Sequence, residues 1–162
     1  MRSFLLRHQP GMRPKHWILA GIGGVLAIGL TGAATVFTGT PLLMAPFGAS
    51  CVLLFSVPAS PLSQPANVVG GHVVATLIGF ALHALMPDVW WAAALAVGIA
   101  VGVMAALRLT HPPAGADPLV VFASSPDLTY LLFPVLIGSV MLVATATVFH
   151  RLTGTRYPLD EA

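Results

Sequence analysis

Between Lys15 and Asp88 the chain carries no acidic residue, lysine or arginine. Apolar residues there are broken only by glycine, proline and neutral polar side chains. Such a run exceeds one membrane crossing, which takes about 20 residues, so turn signals must divide it. Thr38-Gly39-Thr40-Pro41 makes the first cut and leaves a span from Trp17 to Phe37. Its basic flank is long and no small-residue cleavage site follows, so it reads as a span and not a signal peptide. Pro58-Ala59-Ser60-Pro61-Leu62-Ser63-Gln64-Pro65 makes the second cut. Between the cuts lies a short segment, Leu42 to Val57, with Pro46 and Gly48 near its start. A span from Val68 to Met86 follows, then Pro87-Asp88 and a span from about Val89 to Leu107. After the turn-rich Thr110 to Pro118 comes a short apolar piece, Leu119 to Ser125, and a last span from about Thr129 to Phe149. The pattern predicts an all-α polytopic membrane protein with four clear transmembrane helices and two Pro/Gly-broken segments.

Composition narrows the class. The 162 residues are 57% hydrophobic and only 7% charged, against about 25% charged in soluble domains. Too little charge is present to solvate a globule, which excludes a soluble enzyme and a nucleic-acid binder. Arg2, Arg7, Arg13 and Lys15 crowd one end, and Arg151 and Arg156 the other. Basic ends around an apolar middle predict cytoplasmic termini. The expected organisation is a basic segment 1–16, one transmembrane domain 17–150 and a short tail 151–162. Trp17, Trp90 and Trp91 read as interfacial belt residues, and His8, His16 and His150 as interfacial too. Cys51 stands alone, so no internal disulfide forms. The six histidines lack metal-ligand spacing. No nucleophile–base pair appears, so no enzyme, metal or cofactor is expected.

The two short segments share a pattern. Pro46-Phe47-Gly48-Ala49 is followed by Phe55, and Pro113-Ala114-Gly115-Ala116 by Phe122, both as Pro-x-Gly-Ala-x5-Phe. Each lies between long spans, which predicts two three-segment repeats, about 17–86 and 89–150. If both short segments cross, Arg108, Arg151 and Arg156 join the basic N-terminus on one side. Asp88 and Asp127 fall on the other. Re-entrant segments would instead put Arg108 outside and Asp88 inside. The positive-inside rule favours six crossings, which makes the halves inverted in topology.

Thr110-His111-Pro112-Pro113-Ala114-Gly115-Ala116 resembles the signature of the HPP family of small integral membrane proteins. Matching pieces are Pro46-Phe47-Gly48-Ala49-Ser50 with Leu53-Leu54-Phe55, then Ser60 to Pro65, then Asn67-Val68-Val69-Gly70-Gly71-His72. The resemblance covers roughly Pro14 to Arg151. It implies a membrane protein of a kind usually described with four spans. Plant plastid and cyanobacterial members are linked to nitrite transport. Where the family commonly has Gln-Pro-Arg-Asn, this chain has Gln64-Pro65-Ala66-Asn67, which bears on the substrate.

Passage of a small inorganic anion, with nitrite foremost, is the expected function. A broken helix can serve it, because its first turn leaves N–H groups free at the positive end of the dipole. Pro46, Gly48, Ala49 and Ser50 read as one such start, and Pro112, Pro113 and Gly115 as the other. The prolines suit a first turn, and glycines at 48 and 115 let backbone approach a ligand. His111 is a candidate anion contact, or else a cap on carbonyls of the preceding helix. Arg108 and Thr110 flank that mouth. His72, near Gln64 and Asn67, lines the path or stitches helices together. His83 reads as an interhelical hydrogen bond. Asp117 reads as a helix cap, with proton coupling as its functional alternative. The expected partners are a small anion, the bilayer and a second copy in a homodimer, in a bacterial cytoplasmic membrane. The alternative is a ligand-sensing or regulatory membrane module, or an assembly subunit of a larger complex.

Overall fold

Away from water, backbone N–H and C=O groups must pair within the chain, and helices do this inside one segment. The computed structural model describes residues 5–6, 11 and 13–159, and all regular structure among them is helical. Six α-helices follow in order: α1 Pro14–Thr38, α2 Pro46–Ser56, α3 Pro65–Leu85, α4 Trp90–Ala106, α5 Asp117–Ser124 and α6 Ile137–Thr153. Three segments are long and apolar enough to cross a membrane: Pro14–Thr38, Pro65–Leu85 and Leu131–Thr153. Helix α4, at 17 residues, is a shorter apolar helix. His8, Arg2 and Arg7 lie outside the described residues.

Proline sets the helix starts. Pro14, Pro46 and Pro65 each occupy a first turn, where a missing N–H leaves nothing unpaired. Helix α3 therefore begins inside the proline-rich connector, three residues before the predicted span. The second broken segment departs from expectation. Pro112–Ala116 forms a 3₁₀ turn, and the α-helix starts only at Asp117. Pro113 disfavours α geometry at Pro112, and Pro118 cannot donate back to Ala114, so a tight turn precedes α5. Pro134 acts similarly on the last span. Leu131–Leu136 is a wide π turn with a non-helical Phe133, and α6 runs on to Thr153 before Gly154, at φ 74°, ends it.

Contacts show how the segments run. At one end, His16, Pro58 and Thr155 line a common cleft of about 210 Å³. There too Asn67 reaches the Arg108 and Thr110 carbonyls, and the Leu159 N–H donates to Gln64. At the opposite end, Leu42 bonds Thr35, the Tyr130 hydroxyl meets Met44 Sδ, and Ser125 meets His83. The chain therefore traverses the molecule six times. In the second and fifth passages a non-α stretch precedes the short α2 and α5. Arg13, Lys15, Arg108 and Arg151 gather at the first end, and Asp88 and Asp127 at the second.

Small residues permit close packing. Helix α1 buries Gly23, Ala27 and Thr31, and α4 buries Ala92, Ala96, Ala100 and Met104, both at four-residue spacing. A Cβ on Gly23 would strike the Phe55 ring, whereas Gly21, Gly24 and Gly29 face open space. Helix α3 is central, touching α4, α5, α6 and the 3₁₀ turns at Pro61–Ser63 and Pro112–Ala116. The outer surface is apolar, with Val25, Phe37, Trp90 and Leu152 strongly exposed. Trp17 and Trp91 are also exposed. His150 corrects expectation: it is buried, with Nε2 2.9 Å from the Leu54 carbonyl and Phe55, Phe149 and Tyr157 around its ring. It lies on the buried face of α6, lining the cleft at the basic end beneath the surface, and does not sit at an interface.

Candidate functional site

Helix α3 supplies the frame. His72 lies in its second turn and Thr76 one turn further, near the middle of the helix. Both are fully buried, with Ser50 of α2, His111 before the 3₁₀ turn and Asp117 of α5. Ser50 Oγ lies 2.9 Å from His72 Nε2 and 2.9 Å from His111 Nε2. His72 Nδ1 lies 2.8 Å from Asp117 Oδ2, which also accepts from the Thr76 hydroxyl at 3.4 Å. His111 Nδ1 donates to the Leu62 carbonyl at 2.8 Å. That carbonyl can only accept, so His111 Nδ1 carries a hydrogen. One polar chain thus runs from the connector at the basic end to mid-depth beside Thr76. Buried polar groups of this kind are costly in an apolar interior unless paired. Asp117 Oδ1 is buried without a hydrogen-bond partner among the described residues.

Packing holds the chain of groups in place. Phe47 meets the His72 ring edge-on, with centroids 5.3 Å apart, and the two imidazoles meet at 5.0 Å. Gly71 lets the 3₁₀ segment approach α3: a Cβ there would lie 2.7 Å from His111 Cβ and 3.1 Å from the Leu109 carbonyl. Gly138 serves α6 in the same way against Leu42 and Phe47. His72 points one nitrogen at a carboxylate and the other at Ser50, so its nitrogens do not converge with Asp117 on one point. No cluster of three metal-ligating side chains forms among the described residues.

The structure divides the expected site residues. Ser50, His72 and His111 come together. Pro46 and Pro113 are buried beside them, and Pro112 is exposed. Gln64 is occupied by the chain itself, donating to the Pro58 and Ser60 carbonyls and accepting from Leu159. Asn67 ties α3 to the segment after α4 through the carbonyls of Arg108 and Thr110. Gly48 and Ala49 lie on the exposed outer face of α2, away from the buried groups. A Cβ at Gly48 or Gly115 would meet nothing within 4 Å. Arg108 is exposed at the basic end in left-handed geometry, φ 59°.

Two sequence readings need correction. Asp117 is no cap: Ala116 holds that position, and the carboxyl turns to His72 and Thr76 instead. His111 does not cap the helix before it, because its ring reaches across to Leu62. Thr76 and the Leu62 carbonyl went unread, since no local signal marks either. His83 does link two elements, with Nε2 3.3 Å from Ser125 Oγ.

The HPP transmembrane-region family model matches residues 9–158. The chain belongs to the HPP family and is an integral membrane protein. It is 33% identical over 152 residues to a transmembrane protein of Dictyostelium discoideum, covering 88% of this chain and 49% of that protein. A second Dictyostelium discoideum transmembrane protein is 29% identical over 151 residues, covering 87% and 53%. The chain spans about half the length of these curated relatives. No solved structure matches it.

Proposed function

We propose that this protein passes a small inorganic anion across its membrane, with nitrite the leading substrate. The observation that carries the reading is the meeting of both family motifs: Ser50 and His111 lie 2.9 Å apart, fully buried, in an apolar membrane domain. Ionisable groups at membrane depth mark transport or relay pathways by default. The exposed Arg108 guanidinium at the basic end, three residues before His111, would raise the local anion concentration there. Nitrite enters through family resemblance alone.

Six crossings with both termini cytoplasmic suit the placement of Arg13, Lys15, Arg108 and Arg151 at one end. The order long, short, long in each half is in keeping with an inverted repeat. A homodimer in a bacterial cytoplasmic membrane completes the reading, because six short passages barely enclose a path alone. No catalysis is assigned to the protein.

A second reading, a sensing module or assembly subunit, draws on one fact: apart from Asp117 Oδ1, the central side chains bond one another with no exposed surface. Proteoliposomes decide. The anion reading expects saturable nitrite entry, above nitrate, formate and chloride, that His111→Ala and His111→Gln lose while still folded. No entry of any anion through folded protein would favour the sensor or subunit.

A further inference from the structure

The hydrogens in the buried chain of groups can be counted. Four contacts run in series: His111 Nδ1 to the Leu62 carbonyl, His111 Nε2 to Ser50 Oγ, Ser50 Oγ to His72 Nε2, and His72 Nδ1 to Asp117 Oδ2. All four are 2.8 to 2.9 Å long. Each needs one hydrogen between its heavy atoms. Ser50 brings one, and two neutral imidazoles bring one each. An ionised Asp117 brings none. With two neutral histidines and a carboxylate, one contact would set two lone pairs against each other. The fourth hydrogen is therefore an acid proton, and it makes the array electrically neutral, the state an apolar interior favours.

That proton has three places. It can sit on Asp117, with His72 bearing hydrogen on Nε2. It can move to His72 Nδ1, leaving an imidazolium beside a carboxylate. When the Ser50 hydroxyl turns from His111 to His72, the extra proton sits on His111 instead. The move from Asp117 to His72 shifts one hydrogen along one contact. The move from His72 to His111 relays two, one from His72 Nε2 to Ser50 Oγ and one from Ser50 Oγ to His111 Nε2. No bond between heavy atoms changes. Ser50 Oγ also lies 3.4 Å from the Pro46 carbonyl. Turning the hydroxyl there lets both imidazoles donate to Oγ, which admits a fifth hydrogen and leaves the array with one positive charge. A nearby anion would balance that charge.

We propose that Ser50, His72, His111 and Asp117 form a proton-binding site through which the protein couples a proton to its anion. The coupling half rests on the anion reading above; the site itself does not. The groups facing His72 are Ser50 and Phe47 from α2, His111 from the segment after α4, and Asp117 from α5, and Thr76 from α3 faces Asp117. Tyr130, before α6, is a further titratable group that interacts with Asp117.

The first test needs no transport. Histidine-labelled protein in lipid is read by ¹⁵N solid-state NMR, and its carboxyl groups by infrared spectroscopy, at neutral pH. The expected result is either an imidazolium at position 72 or 111, or a protonated Asp117 carboxyl. Two neutral imidazoles, in any tautomer, beside an ionised Asp117 would overturn the site. Asp117→Asn is the companion variant. Its amide NH₂, turned to His72, supplies the fourth hydrogen from a group that does not titrate, so the fold persists and the acid proton is lost. The second test imposes a pH gradient, alkaline inside, on proteoliposomes. Coupling expects nitrite accumulation above that of empty vesicles, abolished by Asp117→Asn. Equal nitrite entry with and without the gradient would overturn the coupling. No nitrite entry at all would overturn the anion reading and the coupling with it, while the spectra still judge the site.

Discussion

Ser50 sits between two imidazoles, so removing its hydroxyl strands both Nε2 atoms at once. An unpaired buried polar group costs about 1–3 kcal/mol. Ser50→Ala should lower stability by at least that range, seen as earlier thermal unfolding of the detergent-purified protein. Two glycines make a matched pair. Gly71→Val drives a side chain against His111 and Leu109, and overpacking of this kind costs about 1–3 kcal/mol. Gly48→Val meets open space and should stay within about 0.5 kcal/mol of the parent. A thermal melt that ranks them the other way would refute this account of the packing.

At the scale of elements, the ends of helices carry the tension between stability and use. Helix α4 is followed by Arg108 in left-handed backbone, φ 59°, where glycine is the usual residue. That geometry costs a side-chain-bearing residue about 1–2 kcal/mol. Arg108→Gly should therefore unfold no earlier than the parent, and the same change should slow anion entry at low salt. A stable variant with unaltered entry would make Arg108 a plain interfacial anchor. In the loop before α6, the Thr129 hydroxyl and N–H both donate to the exposed Asp127, holding its carboxyl below the usual carboxylate range. A lowered folded value means stabilisation that is present above the unfolded value, about 3.9. It is lost as pH falls through the folded one. Thr129→Val should return the Asp127 titration toward ordinary values, read by NMR.

At the scale of the whole molecule, six passages predict that cysteines placed at 108 and 151 label from the same face of sealed vesicles. They would be introduced into a Cys51→Ser background. Re-entrant segments would put them on opposite faces. Much of this architecture was legible in the chain. Long charge-free apolar runs read as membrane helices, and Pro46 marks a helix start because a first turn needs no proline N–H. The start of α3 at Pro65 fell inside the expected connector. The late start of α5 was less legible, because three prolines within seven residues, Pro112 to Pro118, leave the choice of turn to packing. Ser50, His72 and His111 could be picked out as polar residues in apolar surroundings. That they touch, and that Asp117 completes them, could not. Their separations of 22, 61 and 45 residues carry no local periodicity. The sequence by itself determined that this is a helical membrane protein of the HPP family, since hydrophobicity and proline act locally along the chain. Only the tertiary structure decided that four polar residues from separate segments share one array, because their hydrogen bonds form when α2, α5 and the turn before it close around α3.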